Sequence, residues 1–329
     1  MRDGVHEDDL VAAIDALVGG TSARVLVGIG DDAAVWQPSR SHRSIVTTDA
    51  LIEDVHFSRA WMSLRDIGWR AMAANASDAA AMAARPLLAT VALGVTPAIT
   101  QTDVLELYAG MQACAKAYDI AIVGGDLSRA PVLTIAITLV GEVRPSNCKL
   151  RSGARPGDAI AVTGALGASR AGLAVMRGEL TLEPALAAEA VAAHARPQPR
   201  VREGRFLGAS RSVRAMMDCS DGLSTDLARL CKRSGVGARI ESVPVAASAL
   251  AAARALGEDP SAFALAGGED FELLFTVDAR AFSHLATRFR AHLGRPLHRV
   301  GTIQADEALV VVNQGEAQPL RRSGWEHFA

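Results

Sequence analysis

Apolar and polar residues repeat with two different periods along this chain, and the alternation between them lays out its elements. Residues 7–19 place Leu10, Ile14 and Leu17 on one side of a 3.6-residue repeat and predict a helix. Short apolar runs rich in β-branched residues at 25–27, 44–48, 88–93, 120–123 and 132–140 read as strands. Between them, 63–85 and 102–118 predict two longer helices. Ser-Leu-Arg-Asp at 63–66 resembles a capping box for the first of these, and Pro86 is expected to stop it. The stretch VRPSNCKLRSGARPGD at 143–158 then breaks the pattern with prolines and glycines between apolar runs, which sets expected domains of 1–148 and 149–329. Beyond it, a strand is expected at 159–164, then come the apolar segments VRAMMDCSDG at 213–222, GARIESVPV at 237–245 and FALAGGEDFELLFTV at 263–277, with final strands at the end. Helices are expected within 165–176, up to 193, from the loop 194–204 onward, from 222 to 232 and over 281–293. Strands interleaved with helices in both halves predict an α/β (α+β) protein of two domains.

Composition narrows the function. At 329 residues, half of them hydrophobic, the chain can build two cores. A net charge of −2 gives no general electrostatic case for nucleic acid. No apolar run reaches the ~18 residues of a membrane span, and the opening MRDGVHEDDL lacks the apolar stretch of a secretory signal. Cys114, Cys148, Cys219 and Cys231 lie far apart without C-x-x-C spacing, which fits a reducing cytoplasm and no zinc site. Nearly all the basic residues are Arg, so one Arg carries little weight by itself.

The chemistry lies in the acidic segments. GIGDDAAVW at 28–36 is followed by TTDA at 47–50, NASDAA at 75–80, GGD at 124–126, MDCSDG at 217–222 and GGEDFE at 267–272. A single aspartate at a loop end is ordinarily an N-cap or turn residue. The set is more informative, because Asp32, Asp49, Asp78, Asp126, Asp218 and Asp221 mostly follow apolar strands or stand among small residues. Asp78 lies in an Ala- and Met-rich helix that should be buried, where a lone carboxylate is costly. A bound cation would explain Asp78 and Asn75 one turn earlier; an Arg across a packed interface would explain Asp78 equally. Carboxylates and Thr hydroxyls without a His/Cys cluster suit Mg2+, shared with phosphates. The chain has no G-x-x-x-x-G-K-[ST] loop, no G-x-G-x-x-G, no protein-kinase motif set, and no spacing that suggests a Ser/His/Asp group or a Cys nucleophile. Trp36, Trp61 and Trp69 read as packing residues, His6, His42 and His194 as exposed or loop histidines, and Cys219 as a small packing residue.

In order, GIGDDAAV (28–35), TTDALIEDVHF (47–57), NASDAAAMAARP (75–86), IVGGDLSR (122–129), LRSGARPGD (150–158), TGALGASRAGL (163–173), HARPQPR (194–200), MDCSDGLSTDL (217–227), GGEDFELLFT (267–276) and GWEHF (324–328) resemble the thiamine-monophosphate kinase family, within the aminoimidazole-ribonucleotide-synthetase-like superfamily. The resemblance implies direct transfer of the γ-phosphoryl group of ATP to thiamine monophosphate, giving thiamine diphosphate and ADP. It implies several Mg2+ ions held by Asp32, Thr47, Thr48, Asp49, Asp78, Asp126, Asp218 and Asp221. It also implies ATP contacts from Gly125, Asp126, Arg151, Ser220 and Tyr108, and thiamine contacts from His56, Glu269 and Trp325. The family often has Tyr or Phe at the last position, and Trp325 keeps the aromatic face. The implied N-terminal domain binds ATP and Mg2+ and pairs with a second copy through a shared β-barrel; the C-terminal domain completes the site. No catalytic side chain beyond the metal ligands is implied.

Other members of the superfamily fit less well. Selenophosphate synthetase needs a reactive Cys near the N-terminus, and the hydrogenase-maturation relative needs a C-terminal Cys. Aminoimidazole-ribonucleotide synthetase lacks TTDALIEDVHF. A binding protein without turnover would be expected to have lost part of the acidic set, which is complete here.

Overall fold

The protein, as a computed structural model, is described over residues 7–19, 24–29, 33–313, 315–320 and 323–324. It divides into two compact units, Met1–Ala79 with Ala84–Pro145, and Ala80–Ala83 with Ser146–Ala329.

The first unit contains α1 (Glu7–Val18), β1 (Val25–Val27), β2 (Val35–Trp36), β3 (Arg43–Ile52), α2 (Leu64–Ala81), β4 (Arg85–Val95), α3 (Gln101–Tyr118), β5 (Ala121–Arg129) and β6 (Thr134–Val143). β1 and β2 form a small antiparallel pair. The other strands form one sheet in the order β3-β6-β4-β5, parallel only between β4 and β5. β6 alternates cleanly. Ile135, Ile137 and Leu139 are buried, while Ala136, Thr138 and Val140 keep partial exposure on the other face. α2 and α3 cross at backbone contact: a Cβ on Gly68 would lie 2.0 Å from the Leu107 carbonyl oxygen, and one on Gly110 would lie 2.0 Å from that of Arg65.

Several boundaries differ from expectation. Val18, not Leu17, completes the buried face of α1 with Leu10 and Ile14, and Leu17 is 37% exposed: the apolar stripe is wide enough for either position, and the packing selects Val18. Ser63 does cap α2, accepting from the Asp66 N–H at 3.2 Å. The helix stops four residues short of the expected end, where Ala83 turns left-handed (φ +58°) and the Ala84 N–H reaches back to Ala79 O at 2.8 Å. Pro86 therefore lies in β4, at a register irregularity near the strand's start where a missing donor costs little. β3 and β5 run longer than their apolar cores, so TTD and GGD lie within strands, not at strand-end turns.

The second unit contains β7 (Ala159–Val162), α4 (Ala168–Met176), α5 (Pro184–Ala195), α6 (Val201–Gly208), β8 (Val213–Asp218), α7 (Leu223–Ser234), β9 (Gly237–Ile240), α8 (Ala247–Leu256), α9 (Pro260–Ala266), β10 (Leu273–Val277), α10 (Phe282–Leu293), β11 (His298–Gln304), β12 (Leu309–Asn313) and β13 (Glu316–Pro319). Its sheet runs β13-β12-β9-β11-β7-β10-β8, with only β12 and β9 parallel. Every residue of β7 and β10 is buried, which explains their unbroken apolar runs. Ile160, Val162, Met217, Leu223, Leu227 and Leu274 lie in one core beneath the acidic loops.

Candidate functional site

In the first unit the acidic residues divide between the faces of the sheet. Thr47 and Asp49 point to the same face two residues apart, and Thr47 Oγ1 donates to Asp78 Oδ2 of α2 at 2.5 Å. Asp78 is thereby partly buried with a hydroxyl partner. Thr48 points the other way. Its hydroxyl donates to Ile137 O at 3.0 Å and accepts from Thr138 Oγ1 at 3.3 Å. Asp126 shares that second face by strand alternation, through its register with Ala92, and accepts from Ser128 Oγ at 2.6 Å. Asp49 lies on edge strand β3 and Asp126 on edge strand β5, three strand spacings apart, roughly 14 Å at ~4.8 Å per spacing. One copy of this sheet does not bring them together.

His56 follows β3 in a turn where Asp54 is left-handed (φ +63°). The Ile52 N–H donates to His56 Nδ1 at 3.1 Å, which leaves Nε2 to carry the proton of the neutral ring. Tyr108 is only 3% exposed on α3, and burial pushes its phenol pKa up. Gly125 is exposed within β5.

In the second unit two acidic loops meet. The Glu269 N–H donates to Ser220 O at 2.7 Å, Phe271 N–H to Cys219 O at 2.9 Å, and Cys219 N–H to Glu272 O at 2.7 Å. These bonds join MDCSDG to GGEDFE, and Leu273 pairs with Asp218 in the ladder of β10 and β8. Glu269 and Phe271 are left-handed (φ +64° and +50°), a strain the surrounding bonds hold in place. Asp218 is buried at the end of β8. Asp221 is bound by Arg229, and its own N–H donates to Asp226 Oδ2 at 3.0 Å. Burial, then the charges of Asp218 and Asp221, push the Asp226 carboxyl up to about 8. Arg151 is exposed, with its carbonyl accepting from Ser234 Oγ at 3.1 Å. The C-terminal segment packs against the start of α7: the Gly324 N–H donates to Thr225 Oγ1 at 3.3 Å, and a Cβ on Gly324 would lie 1.9 Å from Asp221 O. Asp32 and Trp325 lie outside the described residues.

Sequence reasoning passed over several residues that hold these loops. Asp270 accepts from the Gly167 and Ser169 N–H groups at 2.7 and 3.2 Å, capping α4, which has no side-chain cap of its own. Burial pushes the Asp270 carboxyl up to about 7 against those two amides. Glu272 is buried and bound at both oxygens by Arg200 (2.9 and 2.6 Å), with Arg295 and Thr163 adding bonds of 3.1 and 2.6 Å. Burial opposes ionisation of Glu272, and the two guanidinium groups hold its pKa below the usual value. The clustering of Glu269, Asp270 and Glu272 was the available signal, but nothing local tells which carboxylate faces inward. His194 is not in a loop. It lies in the last turn of α5, which continues two residues beyond the expected end, and is 1% exposed. Cys219 is buried in the core, and burial pushes its thiol well up, as suits packing and not attack.

Among the described residues, no group of three or more His, Cys, Asp and Glu side chains is preassembled as a metal centre. Likewise, no described helix is long and apolar enough to cross a membrane.

Known proteins share this sequence and fold. Residues 30–143 match the AIR synthase related protein, N-terminal domain, and residues 155–313 match its C-terminal domain. The thiamine-monophosphate kinase of Synechococcus elongatus is 41% identical over 253 residues, 75% of this chain and 76% of that protein. The crystal structure of thiamine-monophosphate kinase from Stenotrophomonas maltophilia K279a superposes with a TM-score of 0.82 at 35% identity, covering 94% of this chain and 96% of the other. AaThiL complexed with AMPPCP and TMP superposes with a TM-score of 0.78 at 30% identity, covering 98% and 97%. The chain belongs to the thiamine-monophosphate kinase family, with the two-domain architecture of AIR synthase related proteins.

Proposed function

We infer that this chain transfers the γ-phosphoryl group of ATP to thiamine monophosphate, giving thiamine diphosphate and ADP. The observation that carries the reading is the near full-length match to thiamine-monophosphate kinases, one of them solved with AMPPCP and TMP. The chemistry of the site agrees. Joining a phosphate monoester to ATP brings two polyanions together, and the barrier a protein can lower is largely electrostatic. The acceptor phosphate has a second pKa of ~6, so its oxygen is ionised near neutral pH and needs no strong general base.

The donor set fits Mg2+: Thr47, Thr48, Asp49, Asp78, Asp126, Asp218 and Asp221, with Asp32, offer oxygen only. The crowding of Asp218, Asp221 and Asp226 is what a divalent cation would relieve. Bound there, several Mg2+ ions supply charge neutralisation and alignment of the phosphates. Gly125, Asp126, Arg151 and Ser220 are the proposed ATP contacts, with Tyr108 the least accessible member of that set. His56, Glu269 and Trp325 are the proposed thiamine contacts. His56 offers Nε2–H as a donor, and Glu269 offers a carboxylate to a cationic heterocycle.

A homodimer follows from the same reading. Val46 is 68% exposed on β3 beside Thr48 and Ala50, and this uncovered face continues onto Ala136, Thr138 and Val140 of β6. A second copy closing the sheet into a barrel would cover that face and bring one copy's Asp49 edge towards the other's Asp126 edge. The proposed domains, 1–148 for nucleotide, metal and pairing and 149–329 for completing the site, follow this division of labour. Buried thiols at Cys114, Cys219 and Cys231 suit a cytoplasmic setting.

The test is to incubate the purified protein with Mg-ATP and thiamine monophosphate and to separate the products by chromatography, with free thiamine and an aminoimidazole precursor in parallel. Thiamine diphosphate formed from the monophosphate alone is expected. Turnover of a different acceptor, or none with ATP still bound, would overturn the reading.

A further inference from the structure

The last turn of α5 brings a buried histidine to the loop that carries Glu269. Ser169 Oγ lies 3.0 Å from His194 Nδ1, and the same nitrogen lies 3.8 Å from Glu269 Oε2. Both partners of this nitrogen are anchored through their backbones. The Ser169 N–H is fixed by Asp270, the neighbour of Glu269, so the hydroxyl and the loop share one anchor. α5 can come this close because Gly172 of α4 has no side chain: a Cβ there would lie 2.0 Å from Ala190 O and 2.9 Å from the His194 Cβ. The Glu269 backbone is pinned in the left-handed region by its bond to Ser220, so the remaining freedom of Glu269 is in its side chain, which is 35% exposed.

We propose that His194 and Ser169 are positioning residues that set the side-chain orientation of Glu269, and through it the site's affinity for the acceptor substrate. The proposal rests on the reading of Glu269 as a thiamine contact. Burying an imidazole in an Ala-rich helix has no packing rationale that Leu or Met would not meet better. A ring whose Nδ1 faces one hydroxyl and one carboxylate at once has an orienting one. At 3.8 Å the pair is held by charge and dipole rather than by a full hydrogen bond, so its effect is on orientation. Neither His194 nor Ser169 touches substrate in this account.

The test is a double-mutant cycle read as KM for thiamine monophosphate, KM for ATP and kcat. His194→Ala is expected to raise the acceptor KM about fivefold to tenfold while leaving the ATP KM and kcat within about twofold. His194→Asn puts an amide nitrogen near the place of Nδ1 and is expected to recover most of that loss. It also serves if the alanine variant does not fold. In a Glu269→Gln background, either His194 substitution should change the acceptor KM no further. Equal losses in both backgrounds, or parallel rises of both KM values, would make His194 a structural residue and overturn the proposal. If Glu269→Gln alone leaves the acceptor KM unchanged, the thiamine role of Glu269 falls and the proposal falls with it, while wild-type turnover of thiamine monophosphate would still uphold the function.

Discussion

Thr47 on β3 donates its hydroxyl to Asp78 on α2, tying a strand to a helix 31 residues away in sequence. The bond holds the Asp78 carboxylate of α2 against β3. Asp78→Ala is expected to lower kcat by at least about 100-fold, the scale for losing one preorganised charge-stabilising group. Asp49→Ala and Asp218→Ala should do the same. Circular dichroism should report a retained fold in all three, and full activity in any one would remove that residue from the metal set. Thr47→Val should be milder, about tenfold, because it removes one neutral hydroxyl donor and leaves the Asp78 carboxylate in place.

Chelation gives an independent reading of the same set. Excess EDTA is expected to abolish turnover, and added Mg2+ to restore it. Persistent activity in metal-stripped protein would contradict an oxygen-donor magnesium site.

Arg200 closes both oxygens of buried Glu272, and Arg200→Ala leaves that carboxylate to Arg295 and Thr163. A loss of about 3 kcal/mol in urea-unfolding stability is expected, the lower end for breaking a buried pair because two partners remain. Lys at this position should not restore stability, since one ammonium cannot occupy both oxygens in the plane of the fork. A change below about 0.5 kcal/mol would show that the loop is held by other bonds.

Asp270 sets a pH dependence of stability. Its carboxyl is pushed from an ordinary 3.8 to about 7 in the folded protein, by burial first and then by the charges of Glu272 and Glu269, with the Gly167 and Ser169 amides opposing. The native state therefore binds this proton more tightly than the unfolded chain does. Its contribution is fully present below about pH 4 and is lost as pH rises towards 7. Asp270→Asn is expected to flatten that decline relative to wild type across the same window in pH-dependent thermal melts. An unchanged slope would mean that Asp270 is ionised in the fold. At low pH the variant should cost about 1 kcal/mol, because one of the two amides at the α4 N-terminus loses its acceptor.

Val46→Lys is expected to shift the protein from dimer to monomer in light scattering, and to cost activity by separating the two sheet edges. A chain that is monomeric before substitution would contradict the shared barrel.

Much of this was legible in the sequence, and what was missed has a physical cause. The apolar periods located most strands and helices of both units, though not α8 and α9, and α3 to within a residue of its start, because β-branched runs and capped amphipathic repeats are local signals. Asp49 and Asp126 were read as belonging to strand ends, yet ladder partners on β6 and β4 extend both strands through them, and pairing is not a local property. The two acidic loops of the second unit were read as one site, and backbone bonds between 219–220 and 269–272 join them. The inward carboxylates Asp226, Asp270 and Glu272 were not picked out from their outward neighbours. For Asp270 and Glu272, which side of the loop faces the core is decided by α4, Arg200 and Arg295, none of which is close to them in the chain. His194 was misjudged for the same reason: its partners are Ser169 and Glu269, 25 and 75 residues away along the sequence.

The reciprocal glycines Gly68 and Gly110 put a ceiling on drift in this chain. Alanine is its default residue in helices, the smallest change most positions could absorb, and at these two even a methyl group would meet a carbonyl oxygen at 2.0 Å. The crossing works as a mechanical stop for α2. A substitution at either glycine would lift the helix by about the thickness of that methyl and carry Asp78 off Thr47, so a lesion far from any phosphate should read, in kinetics, like a missing magnesium ligand.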